Sequence, residues 1–72
     1  MFEIEKKTAA EIVVIHIEEG HRYTFLFVIS DGRRAIGDGA MRDSGSGKHS
    51  AQYFYAEARQ FVEAAAPEQE RE

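Results

Sequence analysis

The sequence contains no cysteine, no tryptophan and a single proline. Without cysteine there is no disulfide and no thiolate metal site to brace the fold, and the composition suits a reducing compartment. Long apolar runs are missing too. The longest strictly apolar stretch, Phe25 to Ile29, is five residues, far below the roughly 20 needed to span a bilayer. No basic segment leads into an apolar one as a secretory leader requires. These absences predict a soluble, cytoplasmic protein held together by apolar packing alone.

Cations are also in short supply. Nine Lys and Arg face thirteen Asp and Glu, for a net charge of -4. The imbalance is uneven: residues 1–19 carry -3, residues 20–49 carry +2 and residues 50–72 carry -3. An acidic chain is a poor general binder of nucleic acid, because neutralised phosphates supply most non-specific affinity. A basic face built from the middle third remains compatible with that balance.

Seventy-two residues make one domain. A chain this short buries only about 60% of the surface its unfolded form exposes, so its core must be well used. Phe2-Glu3-Ile4-Glu5-Lys6 alternates apolar and polar as a short strand does, whereas residues 6–10 suit a strand or a helical turn equally. Ile12 to Glu18 is β-branched and predicts a strand with Val13, Ile15 and Ile17 on one face and Val14, His16 and Glu18 on the other. Glu19-Gly20-His21 reads as a hairpin loop. In Tyr23 to Ser30 both faces are apolar, with Tyr23, Phe25, Phe27 and Ile29 on one and Leu26 and Val28 on the other. Such a strand belongs in the middle of a sheet.

Asp31-Gly32 between two strands favours a two-residue turn with positive φ at both positions. That turn sets Phe27 opposite Ile36 and Val28 opposite Ala35. The strand that follows, about Arg33 to Met41, is interrupted by Gly37-Asp38-Gly39, which predicts a bulge or bend. From Ser50 the period changes from two to 3.6. Ala51, Phe54, Tyr55, Ala58, Phe61, Val62 and Ala65 form one apolar helical stripe, and Arg59 and Glu63 are spaced as an i, i+4 pair. Pro67 ends the helix, and residues 67–72 are expected to be a disordered acidic tail.

The expected fold is α+β: an antiparallel meander of three or four strands, then one C-terminal α-helix laid on one sheet face, all within residues 1–66. The helix covers the aromatic face. The second face, with Leu26, Val28 and Val14, is either a partner or homodimer surface, or is covered by the N-terminal segment carrying Phe2 and Ile4.

The segment Ser44-Gly45-Ser46-Gly47-Lys48-His49-Ser50 invites comparison with a nucleotide-binding loop, G-x-x-x-x-G-K-S/T. It fails where Arg42 stands for the first glycine and His49 for the hydroxyl residue that reaches magnesium. The simpler reading is a loop loosened by glycine, with Ser46 or Ser50 capping the helix. A phosphate contact through the positive end of the helix is the weaker alternative. His16, His21 and His49 have no metal-ligand spacing, and no oriented nucleophile is suggested by Ser44, Ser46, Ser50 and His49. The expectation is no enzyme, no metal and no cofactor.

Lys48-His49-Ser50-Ala51-Gln52-Tyr53-Phe54-Tyr55-Ala56 resembles the K-K-x-A-K-x-x-A-A opening of the last helix in double-stranded RNA-binding domains. Lys48, Ala51 and Ala56 match, while His49, Gln52 and Tyr55 depart and that family's first helix is missing. The resemblance implies phosphate contact at Lys48, and the alternative reading of the chain is phosphate or double-stranded RNA contact through Arg33, Arg34, Arg42, Lys48 and His49. The leading expectation is different: a non-enzymatic binding protein that offers Glu18, Glu19, Glu57 and Glu63 to a basic protein surface. In size, acidity and single-domain build the chain resembles anti-CRISPR proteins, which implies a phage or mobile-element inhibitor of a host nucleic-acid machine.

Overall fold

A computed structural model describes residues 1–65 throughout, apart from the side chains of Ser30, Arg33 and Arg34. The expected end of the helix at Pro67 and the expected acidic tail lie outside the described residues. The chain forms β1 (Phe2–Lys7), β2 (Glu11–His16), β3 (Arg22–Ser30) and β4 (Arg33–Arg42), then a single 3₁₀ turn (Ala51–Phe54) that runs into helix α1 (Tyr55–Ala65). The four strands make one antiparallel sheet in chain order. The fold is thus the α+β meander with one C-terminal helix on one face. No helix among the described residues is long and apolar enough to cross a membrane.

The β3–β4 hairpin follows from two residues. Asp31 and Gly32 sit at φ 55 and 75, and Phe27 pairs with Ile36 and Val28 with Ala35, as that turn requires. Further along, Phe25 pairs with Gly39 while Phe27 pairs with Ile36, so Gly37 and Asp38 together oppose Leu26. This is the expected bulge. Glycine is needed at position 39 because a Cβ there would stand 2.7 Å from Phe25 Cδ1 and 2.9 Å from the Tyr55 hydroxyl. The Tyr55 hydroxyl also accepts the Gly39 N–H at 3.2 Å.

The core is Ile12, Val14, Tyr23 and Phe25 from the sheet and Ala51, Ala58 and Val62 from the helical segment. Phe2, Phe27, Ile36, Phe54, Tyr55 and Phe61 pack around it. Two elements of the sequence reading need correction here. Val14 pairs with Tyr23 and is fully buried under the helix, so Val13 and Ile15, not Val14, share the second face with Leu26. The five-residue connection from Ile17 to His21 sets this register, and a slip of one residue exchanges the two faces of a strand. Nor does the N-terminal segment fold over the second face. Phe2 pairs with His16 in the sheet, and its ring meets Tyr23 at 5.9 Å and Phe61 at 5.7 Å on the helix side.

Ile29 is also on the helix side but stays 73% exposed. Length explains it: α1 is about 16 Å long, whereas the nine residues of β3 span about 30 Å. The helix therefore stops short of the β3–β4 tip. Arg59 stitches the two layers together. It pairs with Glu63 at 3.1 Å, as the i, i+4 spacing predicts, and also donates to the carbonyls of Gly37 at 2.9 Å and Ile36 at 3.1 Å. It thereby satisfies two backbone acceptors of β4, an edge strand of the sheet.

Candidate functional site

Two surfaces stand out. The first is the end of the molecule where the β2–β3 turn meets the loop of residues 43–50. His21 is fully buried there. Its Nδ1 accepts the Ser44 N–H at 3.1 Å, and its Nε2 lies 2.7 Å from the His49 carbonyl. These two contacts fit a neutral ring protonated at Nε2, with both nitrogens satisfied. His16 Nδ1 accepts the Glu19 N–H at 3.1 Å, and its ring stacks on Phe54 at 4.0 Å. His21 and His49 lie 6.2 and 5.6 Å from the same ring.

The three histidines, unconnected by any spacing in the sequence, thus converge around Phe54. Their task is local. The Nδ1 atoms of His16 and His21 are occupied by backbone amides, and the ring of His49 leans on Glu19 at 3.2 Å. Among the described residues no group of three or more His, Cys, Asp or Glu is placed to hold a metal ion.

The helix start is capped otherwise than expected. Neither serine does it: Ser50 makes no side-chain cap, and the Ser46 hydroxyl meets that of Ser44 at 3.5 Å. The cap is Asp43, whose carboxylate accepts the N–H of Gly45 at 2.7 Å and of Ala51 at 2.9 Å. Glu19 completes the arrangement by accepting the His49 N–H at 2.9 Å. Gly47 is small because the Glu19 side chain lies against it, with a Cβ there only 2.9 Å from Glu19 Cβ. Three amides that a phosphate would seek here, those of Gly45, His49 and Ala51, are therefore already held by the chain's own carboxylates.

Those carboxylates titrate accordingly. The amides of Gly45 and then Ala51 hold Asp43 below its ordinary value of 3.8, and the His49 amide holds Glu19 below 4.5. A lowered carboxylate contributes stability that is present above its ordinary value and lost as pH falls through the lowered one. The loop of residues 43–50 should therefore loosen as pH falls below about 4. The amide resonances of Gly45, His49 and Ala51 should move together in an NMR titration over that range. In Asp43→Asn those of Gly45 and Ala51 should already be displaced at neutral pH.

Negative charge gathers at this end. Burial first, and then the charges of Asp43, Glu19 and Glu57, push the Tyr23 phenol up to about 12. Its hydroxyl donates to the Ala51 carbonyl at 2.6 Å. A turn, a loop and the first turn of α1 thus contribute one acid each to a single neighbourhood. Tyr53 is 63% exposed beside it and stacks on His49 at 4.1 Å.

Of the four acids named from sequence, Glu57 is exposed here, Glu18 accepts the Met1 ammonium at 2.9 Å, and Glu19 is committed to the loop. Glu63 is set apart, about 120° around the helix from Glu57 and bound to Arg59. Asp43, not one of those four, belongs with the acidic group. Only the tertiary fold, eight residues from cap to capped amide, could reveal that. The basic set does not come together. Arg33 and Arg34 open β4 at the hairpin tip while Arg42 closes it, about 30 Å away at strand rise. His49 is held by Glu19.

The second surface is the sheet face that α1 leaves open. Leu26 and Val28 are 51% and 43% exposed, beside half-buried Val13 and Ile15. Compared with protein-family models, with curated proteins and with solved structures, the chain matches none.

Proposed function

We propose that this chain is a small non-enzymatic binding protein whose acidic end occupies a basic surface of another protein, in the manner of an inhibitor of a nucleic-acid machine. The carrying observation is the gathering of Glu19, Asp43 and Glu57 at the end of the molecule where Asp43 caps Ala51 and the Tyr23 hydroxyl donates to its carbonyl, with burial first and then these three charges raising that phenol to about 12. Glu19 and Asp43 are fixed by their hydrogen bonds to the loop and keep their positions on binding, so they add little ordering cost. Exposed Tyr53 supplies the amphipathic aromatic that interface centres favour, and the acidic rim speeds encounter with a cationic groove. Such a surface imitates the phosphates that the groove would otherwise hold. An inhibitory role needs no chemistry from the chain itself.

The test uses the intact chain as bait in lysate of its own source cells or their host. The expected prey is a nucleic-acid-binding protein that is released as salt rises, that loses its nucleic acid to this chain in competition, and that Glu57→Arg with Tyr53→Ala fails to capture. Capture insensitive to both changes would overturn the reading. So would direct, salt-sensitive binding of duplex RNA by this chain, the outcome that a phosphate-contact role for Arg42 and Lys48 requires.

A further inference from the structure

The open sheet face carries a charge arrangement that names its occupant. Register places Glu3, Ile15, Arg22 and Arg42 in one row across the four strands, opposite one another in turn. The row begins with an acid on the β1 edge and ends with a base on the β4 edge. Arg22 and Arg42 face each other directly, a like-charge pair that is unfavourable in a sheet unless anions compensate it. Glu5 compensates Arg22, with its two carboxylate oxygens on the guanidinium at 2.8 and 3.0 Å. Lys6 and Glu11 neutralise each other at 3.5 Å. That leaves, in this row, Glu3 and Arg42, whose side chains make no ion pair or hydrogen bond with any described residue.

We propose that this face is a homodimer interface, two copies packing sheet to sheet about a two-fold axis parallel to the strands. Such an axis stacks β1 of one copy over β4 of the other. It sets Glu3 against the second copy's unpaired Arg42, twice over, as an isologous contact must. Face-to-face sheets lie about 10 Å apart and cross at about 30°, so long side chains at the edges meet. Between them the same axis lays Ile15 along the stem of the second copy's Arg22, Val13 on its Thr24 and Leu26 beside its Glu11. Among the described side chains of this face the acids Glu3, Glu5, Glu11 and Asp38 stand against Lys6, Arg22 and Arg42, so the face is close to neutral although the chain carries -4. A nearly neutral face lets two copies of an acidic protein approach where a nucleic acid or a strongly basic partner would find no complement. The acidic end takes no part in this contact, so the dimer and the partner-binding role stand or fall separately.

Sedimentation equilibrium of the full chain over a range of concentrations decides the matter, with circular dichroism confirming that each variant is folded. The wild type should pass from its monomer mass of 8.1 kDa to twice that as concentration rises. Leu26→Asp should remain monomeric. Glu3→Arg and Arg42→Glu should each weaken association at least tenfold, and the double exchange Glu3→Arg with Arg42→Glu should restore it. A wild type that stays monomeric at millimolar concentration overturns the proposal, as does a dimer indifferent to Leu26→Asp. A double exchange no tighter than the single ones overturns it equally.

Discussion

Phe25→Ala should remove a large share of the chain's stability. Phe25 is fully buried at the centre of the sheet, its ring 5.7 Å from that of Tyr55 and seated over Gly39. Truncating a buried phenylalanine costs about 3–5 kcal/mol, part transfer and part cavity. A domain of this length has a total stability of about 4–11 kcal/mol. The cavity could not refill easily, because the backbone of β4 at Gly39 is pinned to Tyr55 on one side and to the β3 ladder on the other. The unfolding midpoint, followed by far-ultraviolet circular dichroism, should fall by at least about 12 °C. A drop under about 5 °C would mean that the helix is not seated on Phe25 as described.

His21→Phe should be nearly as costly for a different reason. The replacement has comparable bulk and is more apolar, so a purely hydrophobic account would call it harmless. It leaves the Ser44 N–H and the His49 carbonyl without their buried partner. Each orphaned group costs about 1–3 kcal/mol, so the two together cost about 2–6 kcal/mol. The loss should be local first: amide exchange should quicken from Ser44 to His49 while β1 to β4 remain protected. Ser44→Ala keeps its N–H and should be milder. Uniform loss of protection across sheet and loop would show that the loop is not an independently tethered unit.

Much of this architecture is legible in the residues. Asp31-Gly32 specifies its own turn and with it the pairing of Phe27 and Val28. The glycines at 37 and 39 announce the bulge, and the stripe from Ala51 to Ala65 identifies the helix and its inner face. What escapes is whatever depends on contacts distant in sequence. Both faces of residues 12–17 are β-branched, so periodicity alone cannot say which face the helix takes. Burial of His16 with Val14 depends on the β2–β3 register. The convergence of His16, His21 and His49 is a tertiary event with no spacing to betray it. The same holds for the cap from Asp43 and for Arg59 reaching the carbonyls of the bulge. The acidic end was half legible: Glu19 and Glu57 are in the sequence reading, but Asp43 enters only when the loop closes.

The central claim is that one helix makes one face of this sheet a core and leaves the other a surface, so neighbouring residues on β3 have opposite fates. Thermal unfolding of Leu26→Asp beside Phe25→Asp tests it most directly. Phe25→Asp places a charge in the apolar core and should abolish the cooperative transition. Leu26→Asp places one where water already reaches, and at low concentration it should keep the wild-type transition within a few degrees. If Leu26→Asp unfolds the chain as Phe25→Asp does, the second face is core and the account is wrong.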